Sequence, residues 1–146
     1  MATTRRAEVT WEGDLMKGKG IVSAKSSGAF SSLPVTWASR TETPDGRTSP
    51  EELVAAAHAS CFSMALSAGL GRAGNPPEKL EVAVVITFDK TDAGWRITKS
   101  DIEVRGKVPG LDAAGFTQAA EAAKEGCPIS NALKGNVAFS VSASLL

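Results

Sequence analysis

The chain has no tyrosine, a single histidine and two cysteines, and aromatic residues make up 5% of its 146 positions. So few aromatics leave no stacking platform for single-stranded nucleic acid. Sixteen Lys and Arg balance sixteen Asp and Glu, so no net field draws nucleic acid or an anionic membrane. Two cysteines and one histidine fall short of a closed four-ligand zinc set. Residues 1–20 hold no apolar run, because Arg5, Arg6, Glu8, Glu12 and Asp14 interrupt them, which argues against a secretory leader. Internal repeats and low-complexity linkers are absent. The length suits one domain, 1–146, with a core of its own. In a cytoplasmic chain, the location this composition favours, two thiols are more often catalytic, redox-active or inert than a structural staple.

What is present centres on Ser49–Arg72. Ser49 is a helix cap, Pro50 suits the first helical position, and Glu52 is placed to complete a capping box. Gly69 and Gly71 offer stops, with Arg72 in the last turn. Between them the residues are apolar or small on every face, which predicts a helix buried all round. Leu53–Leu70 has the length of a membrane span, but its Ala, Ser and Gly gain little from lipid. Near the middle lies Cys61, three residues after His58. On helix pattern alone Cys61 reads as a small core residue.

Elsewhere, alternation predicts strands. Ala7, Val9 and Trp11 share one face, a second strand surrounds Ile21-Val22, and Leu33, Val35 and Trp37 alternate in a third, together an antiparallel meander. Arg40 follows in a polar loop with Arg47. Asn75-Pro-Pro77 breaks the chain before a hairpin over 80–108, whose parity change calls for a bulge between Thr98 and Asp101. A helix capped by Asp112 runs to 125. Gly126-Cys127-Pro128 then starts a short helix with Cys127 as its cap, and a last strand carries Val137, Phe139, Val141, Ala143 and Leu145 on one face. The order βββ-α-ββ-αα-β predicts an α+β fold. Its apolar faces exceed what one chain can cover, so a homodimer sharing its helices is expected.

A helix start lowers a thiol pKa, as does a nearby cation. Cys127 has the first device; Cys61 has neither within its own helix, and Arg40 and Arg47 are the nearest cations in sequence. The residues alone leave three readings open. One is a redox pair; another is a hydrolase or acyl transferase with Cys61 as nucleophile and His58 as base; the third is a binding protein with inert thiols.

Several stretches resemble the OsmC/Ohr thiol peroxidases, in the OsmC branch: Trp11-Glu-Gly-Asp14, Gly18-Lys-Gly20, Pro50-Glu-Glu-Leu-Val-Ala-Ala-Ala-His-Ala-Ser-Cys-Phe-Ser-Met-Ala-Leu-Ser67, Asp92-Ala-Gly-Trp-Arg-Ile-Thr-Lys99 and Gly126-Cys-Pro-Ile-Ser130. The resemblance implies a peroxidatic Cys61, a resolving Cys127, an activating Arg40 and a Glu51 that orients it. It implies an intertwined homodimer of antiparallel sheets around a long buried helix, and reduction of organic hydroperoxides through a Cys61–Cys127 disulfide. An external dithiol would restore the thiols, with no metal or organic cofactor. Ten helical residues separate Glu51 from Cys61, a rise of ~15 Å, so a site shared between two chains is expected, with Glu51 acting either in its own site or in its partner's.

Overall fold

The computed structural model of the chain describes residues 1–146. Its elements are β1 (Ala7–Glu12), β2 (Lys19–Ala24), β3 (Leu33–Val35), α1 (Trp37–Thr41), α2 (Pro50–Arg72), β4 (Lys79–Thr91), β5 (Gly94–Lys107), α3 (Ala113–Gly126), α4 (Pro128–Leu133) and β6 (Ala138–Leu145). They fall into two compact units, Met1–Leu53 and Val54–Leu146. Each unit has a three-stranded sheet, ordered β1-β2-β3 in the first and β4-β5-β6 in the second.

In the first unit β2 pairs antiparallel with both neighbours, Val9 facing Val22 and Ile21 facing Pro34. Gly18 faces the Asp14 and Glu12 carbonyl oxygens, where a Cβ would come within 2.2 and 2.7 Å, and the indole of Trp11 lies over both Gly18 and Gly20. A Cβ at Gly18 would sit 2.8 Å from that ring and one at Gly20 also 2.8 Å. The third strand ends at Val35, earlier than its alternation through Trp37 suggests. The reason is a capping box: the Ser39 amide donates to Thr36 Oγ1 and the Thr36 amide to Ser39 Oγ, both at 3.0 Å. Arg40 therefore sits on a helical turn, not in a loop. Every residue of β1 is exposed, so the expected buried face of Ala7, Val9 and Trp11 is uncovered here.

The start of α2 departs from expectation in one detail. Ser49 Oγ accepts the Glu52 amide at 3.1 Å, but the Glu52 carboxylate accepts from the Thr48 hydroxyl at 2.8 Å and leaves the box half closed. Further along, His58, Phe62, Leu66 and Leu70 recur every fourth residue and are all buried. Ala56, Ala57, Ser60, Met64, Ser67 and Ala68 are exposed. The helix is thus buried on one face rather than all round, because one sheet can cover only one face. By length and composition it is able to cross a membrane, yet its largest side chains are spent on the core.

The second unit holds that core. Phe62, Leu66 and Leu70 join Ile102, Val104 and Val108 of the β5 run and Phe116, Ala120 and Ala123 of α3. The β4–β5 hairpin turns through Asp92-Ala93, and its register slips between Thr87 and Phe88, which face Lys99 and Ile97, so Thr98 is the extra residue. That bulge brings Ser100, Ile102 and Val104 onto the buried face. The sheet is mixed rather than antiparallel, for β6 runs parallel to β5. A parallel return needs a helical crossover, and α3 and α4 supply it. Asp112 caps α3 by accepting the Gly115 amide at 2.7 Å. Phe116 lies on Gly106, where a Cβ would meet the ring at 2.5 Å. Phe116→Ala should cost about 3–5 kcal/mol of unfolding free energy, read as a lower denaturant midpoint. A loss under about 1 kcal/mol would remove Phe116 from the core's main supports.

Candidate active site

Cys127 sits at a junction of two helices. Its amide donates to the Ala123 carbonyl at 2.9 Å, ending α3, and its carbonyl accepts the Asn131 amide at 3.0 Å, opening α4. Pro128 takes the first position of α4, where its missing N–H costs nothing. The Cys127 side chain is buried, and Cys61, half-buried in the middle of α2, is its neighbour. Both residues are thiols.

The two sulfurs differ in their leaning. Burial pushes the Cys61 thiol up, the hydrogen bond to Cys127 and the charge of Cys127 push it further, and the Ile129 amide opposes weakly. Burial alone would raise Cys127 as well. It is outweighed by the hydrogen bond from Cys61, by the amide and hydroxyl of Ser130, and by the Ile129 amide, so Cys127 lies below the usual thiol range. Cys127 makes no side-chain cap of regular geometry on α4.

His58 is fully buried against the edge of the Phe139 ring, with centroids 5.7 Å apart. Its Nδ1 is 2.7 Å from Ser100 Oγ and its Nε2 2.8 Å from Ser130 Oγ. Both ring nitrogens are engaged by serines, which corrects the idea of His58 as a base for Cys61. Burial lowers its pKa, so the ring is neutral near pH 7. Neither serine was among the candidate residues. Ser130 lies in the Cys127-Pro-Ile-Ser130 stretch, and Ser100 shares the parity of Ile102 and Val104, where a polar side chain signals a buried partner.

In the first unit, Arg40 Nε lies 2.9 and 3.1 Å from the two oxygens of Glu51, and another guanidinium nitrogen 2.8 Å from Oε1. The Glu51 side chain is 9% exposed and that of Arg40 31%, and the guanidinium stands 5.7 Å from the centroid of Trp37. A fork of this kind holds a carboxylate that would otherwise be costly to bury. Within the chain Arg40 is met by Glu51, because α1 and the first turn of α2 belong to one unit.

Each pair borders apolar space. Cys61 opens on a cavity of about 810 Å³ lined by Met64, Ala65, Ala68, Leu111 and Ala119, with Arg72 at its edge. Arg40 borders a groove of about 370 Å³ formed by Val9, Trp11, Leu15, Val22 and Val35.

Two thiols in mutual contact beside an apolar cavity define a dithiol protein of α+β architecture. The chain belongs to the OsmC-like protein family, whose profile matches residues 43–142. It is 43% identical to Peroxiredoxin OsmC of Escherichia coli strain K12 over 137 residues, 94% of each chain. It is 32% identical to the organic hydroperoxide resistance protein of Xanthomonas axonopodis pv. citri over 96 residues, 62% of each. The fold is shared with the crystal structure of an organic hydroperoxide resistance protein from Elizabethkingia anophelis, at a TM-score of 0.78, 22% identity and full coverage of both chains.

Because folding lowers the His58 pKa, the unfolded chain binds more protons than the folded one below about pH 6.5. Stability should therefore fall as pH drops through 6.5 toward the folded pKa, and be retained above it. His58→Gln, measured by denaturant unfolding at pH 5 and 7, should show a smaller difference between the two pH values than the parent does.

Proposed function

We propose that this protein is a two-cysteine peroxidase that reduces organic hydroperoxides, with Cys61 as the attacking thiol and Cys127 as the resolving one. The observation that carries the reading is the pairing of two free thiols, of which Cys61 lines an apolar cavity, in a chain of this family. The Cys61 thiolate attacks the outer oxygen of the hydroperoxide. An S–O bond forms, the O–O bond breaks, and the alkoxide takes a proton and leaves as alcohol. The Cys127 thiolate then attacks the Cys61 sulfenic acid. The S–S bond forms, and the departing hydroxide takes a proton to become water. An external dithiol reduces the disulfide and restores both thiols. The apolar lining favours alkyl or aryl hydroperoxides over bare hydrogen peroxide.

Cys61 needs a cation, since its own surroundings raise its pKa. The Arg40–Glu51 pair is proposed to supply it, with Glu51 holding the guanidinium in orientation. Both units are proposed to act as one domain, a reading supported by a family profile that runs across their boundary. A homodimer is proposed as well. The polar-poor exposed face of α2 and the exposed Val9, Trp11, Ile21, Val85 and Trp95 support it, and the interface would be of the obligate class, roughly 2,000 Å² or more. A cytoplasmic location fits the thiol chemistry.

One equivalent of cumene hydroperoxide should lower the mass of the protein by two hydrogens, the signature of the disulfide. Cys61→Ser should abolish turnover, and Cys127→Ser should let Cys61 advance to sulfinic acid under excess peroxide. Turnover surviving in Cys61→Ser, or no over-oxidation in Cys127→Ser, would remove the corresponding role. Arg40→Ala should raise the pH at which Cys61 is alkylated, and an unmoved midpoint would exclude Arg40 as the activating cation.

A further inference from the structure

The thiol chemistry of the proposed function leaves a buried row of side chains unused. Ser100 of β5, His58 of α2 and Ser130 of α4 are all within 3% of full burial. They are linked at 2.7 Å and 2.8 Å through the two imidazole nitrogens. Ser130 is the third residue of α4, the helix that Cys127 caps, so the row ends within one turn of the buried Cys127. A neutral imidazole has one donor and one acceptor, and each serine has a single hydroxyl proton. If Ser130 gives its proton to the sulfur, its oxygen must accept from His58 Nε2–H. Nδ1 must then accept the Ser100 proton. The row has one consistent direction: Ser100 to His58 to Ser130 to Cys127. In the opposite tautomer Nε2 takes the Ser130 proton, and the sulfur loses it.

We propose that His58 is a positioning residue for Cys127: held in the Nε2–H tautomer by Ser100, it keeps the Ser130 hydroxyl aimed at the Cys127 sulfur and so readies that sulfur to close on Cys61. The inference rests on the two-cysteine reading. The step it assists is balanced as Cys61 sulfenic acid plus Cys127 thiol giving disulfide plus water. The groups acting on the Cys127 sulfur are Cys61 from α2 and Ser130 and Ile129 from α4. The nearby charges of α3 are engaged elsewhere, Lys124 with Glu121 at 2.7 Å and Glu125 with Lys134 at 3.9 Å. The side-chain row is therefore the adjustable part of that environment.

The test follows thiolate absorbance against pH in Cys61→Ser, where Cys127 is the sole thiol. Adding Ser130→Ala should move the midpoint upward, because a hydrogen bond to the charged form is lost. His58→Leu should do the same, and His58→Gln, whose amide N–H reaches toward Ser130, should move it less. In the two-cysteine chain, Ser130→Ala and His58→Leu should slow disulfide closure after one equivalent of cumene hydroperoxide roughly tenfold and raise the yield of sulfinic acid. An unmoved midpoint in Ser130→Ala overturns the contact with the sulfur. A moved midpoint there with an unmoved one in His58→Leu overturns the role of His58. Should His58→Leu not fold, Ser100→Ala takes its place. Ser100 is not among the groups acting on either thiol, so an unmoved midpoint there overturns the row. The titration uses no peroxide. Midpoints that move in a chain that reduces no hydroperoxide would uphold the row while rejecting the peroxidase reading.

Discussion

Four side chains spaced every fourth residue along α2, His58, Phe62, Leu66 and Leu70, dock that helix in the second unit, and the thiol site depends on this docking. Three of them are apolar and gain from burial at about 1.5–3 kcal/mol each. The fourth is polar, and burying it unpaired would cost a comparable amount, so Ser100 and Ser130 must meet both of its nitrogens. The same row that anchors the helix therefore fixes its rotation, and the rotation sets where Cys61 points. One helical turn beyond His58, Cys61 reaches the junction of α3 and α4, where Cys127 waits.

The two thiols divide the chemistry by their surroundings. Cys127 is the more buried, yet backbone amides, a hydroxyl and its partner thiol favour its charge. Cys61 is the more accessible, borders the apolar cavity, and holds its proton more tightly. An attacking thiol must be reachable by substrate, and a resolving thiol must be ready once the first has reacted. That division suits the two roles proposed for them. Within the first unit the Arg40–Glu51 fork holds a guanidinium in a fixed orientation.

Much of this was legible in local patterns. Ser49-Pro50 marked the start of α2, though the helix runs through Gly69 and Gly71 to Arg72; Asp112 marked the start of α3, and the parity change in β5 placed a bulge within Thr98–Asp101, where Thr98 proves to be the extra residue. The two cysteine motifs pointed to the dithiol pair. Patterns that two structures share were misread. The alternation Leu33, Val35, Trp37 looked like a continuing strand, but Thr36 and Ser39 form reciprocal caps that start a helix there. Likewise Glu52 had the spacing of a capping box, and the nearer Thr48 hydroxyl claimed its carboxylate.

The sequence by itself determined most helix and strand positions and singled out the two cysteines, because capping, turn formation and hydrophobic period act between neighbours a few residues apart. Only the tertiary structure decided the rest. It made β6 parallel to β5, left one face of α2 open, paired Arg40 with Glu51 of its own chain, and joined Ser100, His58 and Ser130 into one row. Those outcomes depend on which buried polar group finds which partner across 11 to 72 residues of chain. Such pairing follows from the packing of whole elements and leaves no mark in local spacing.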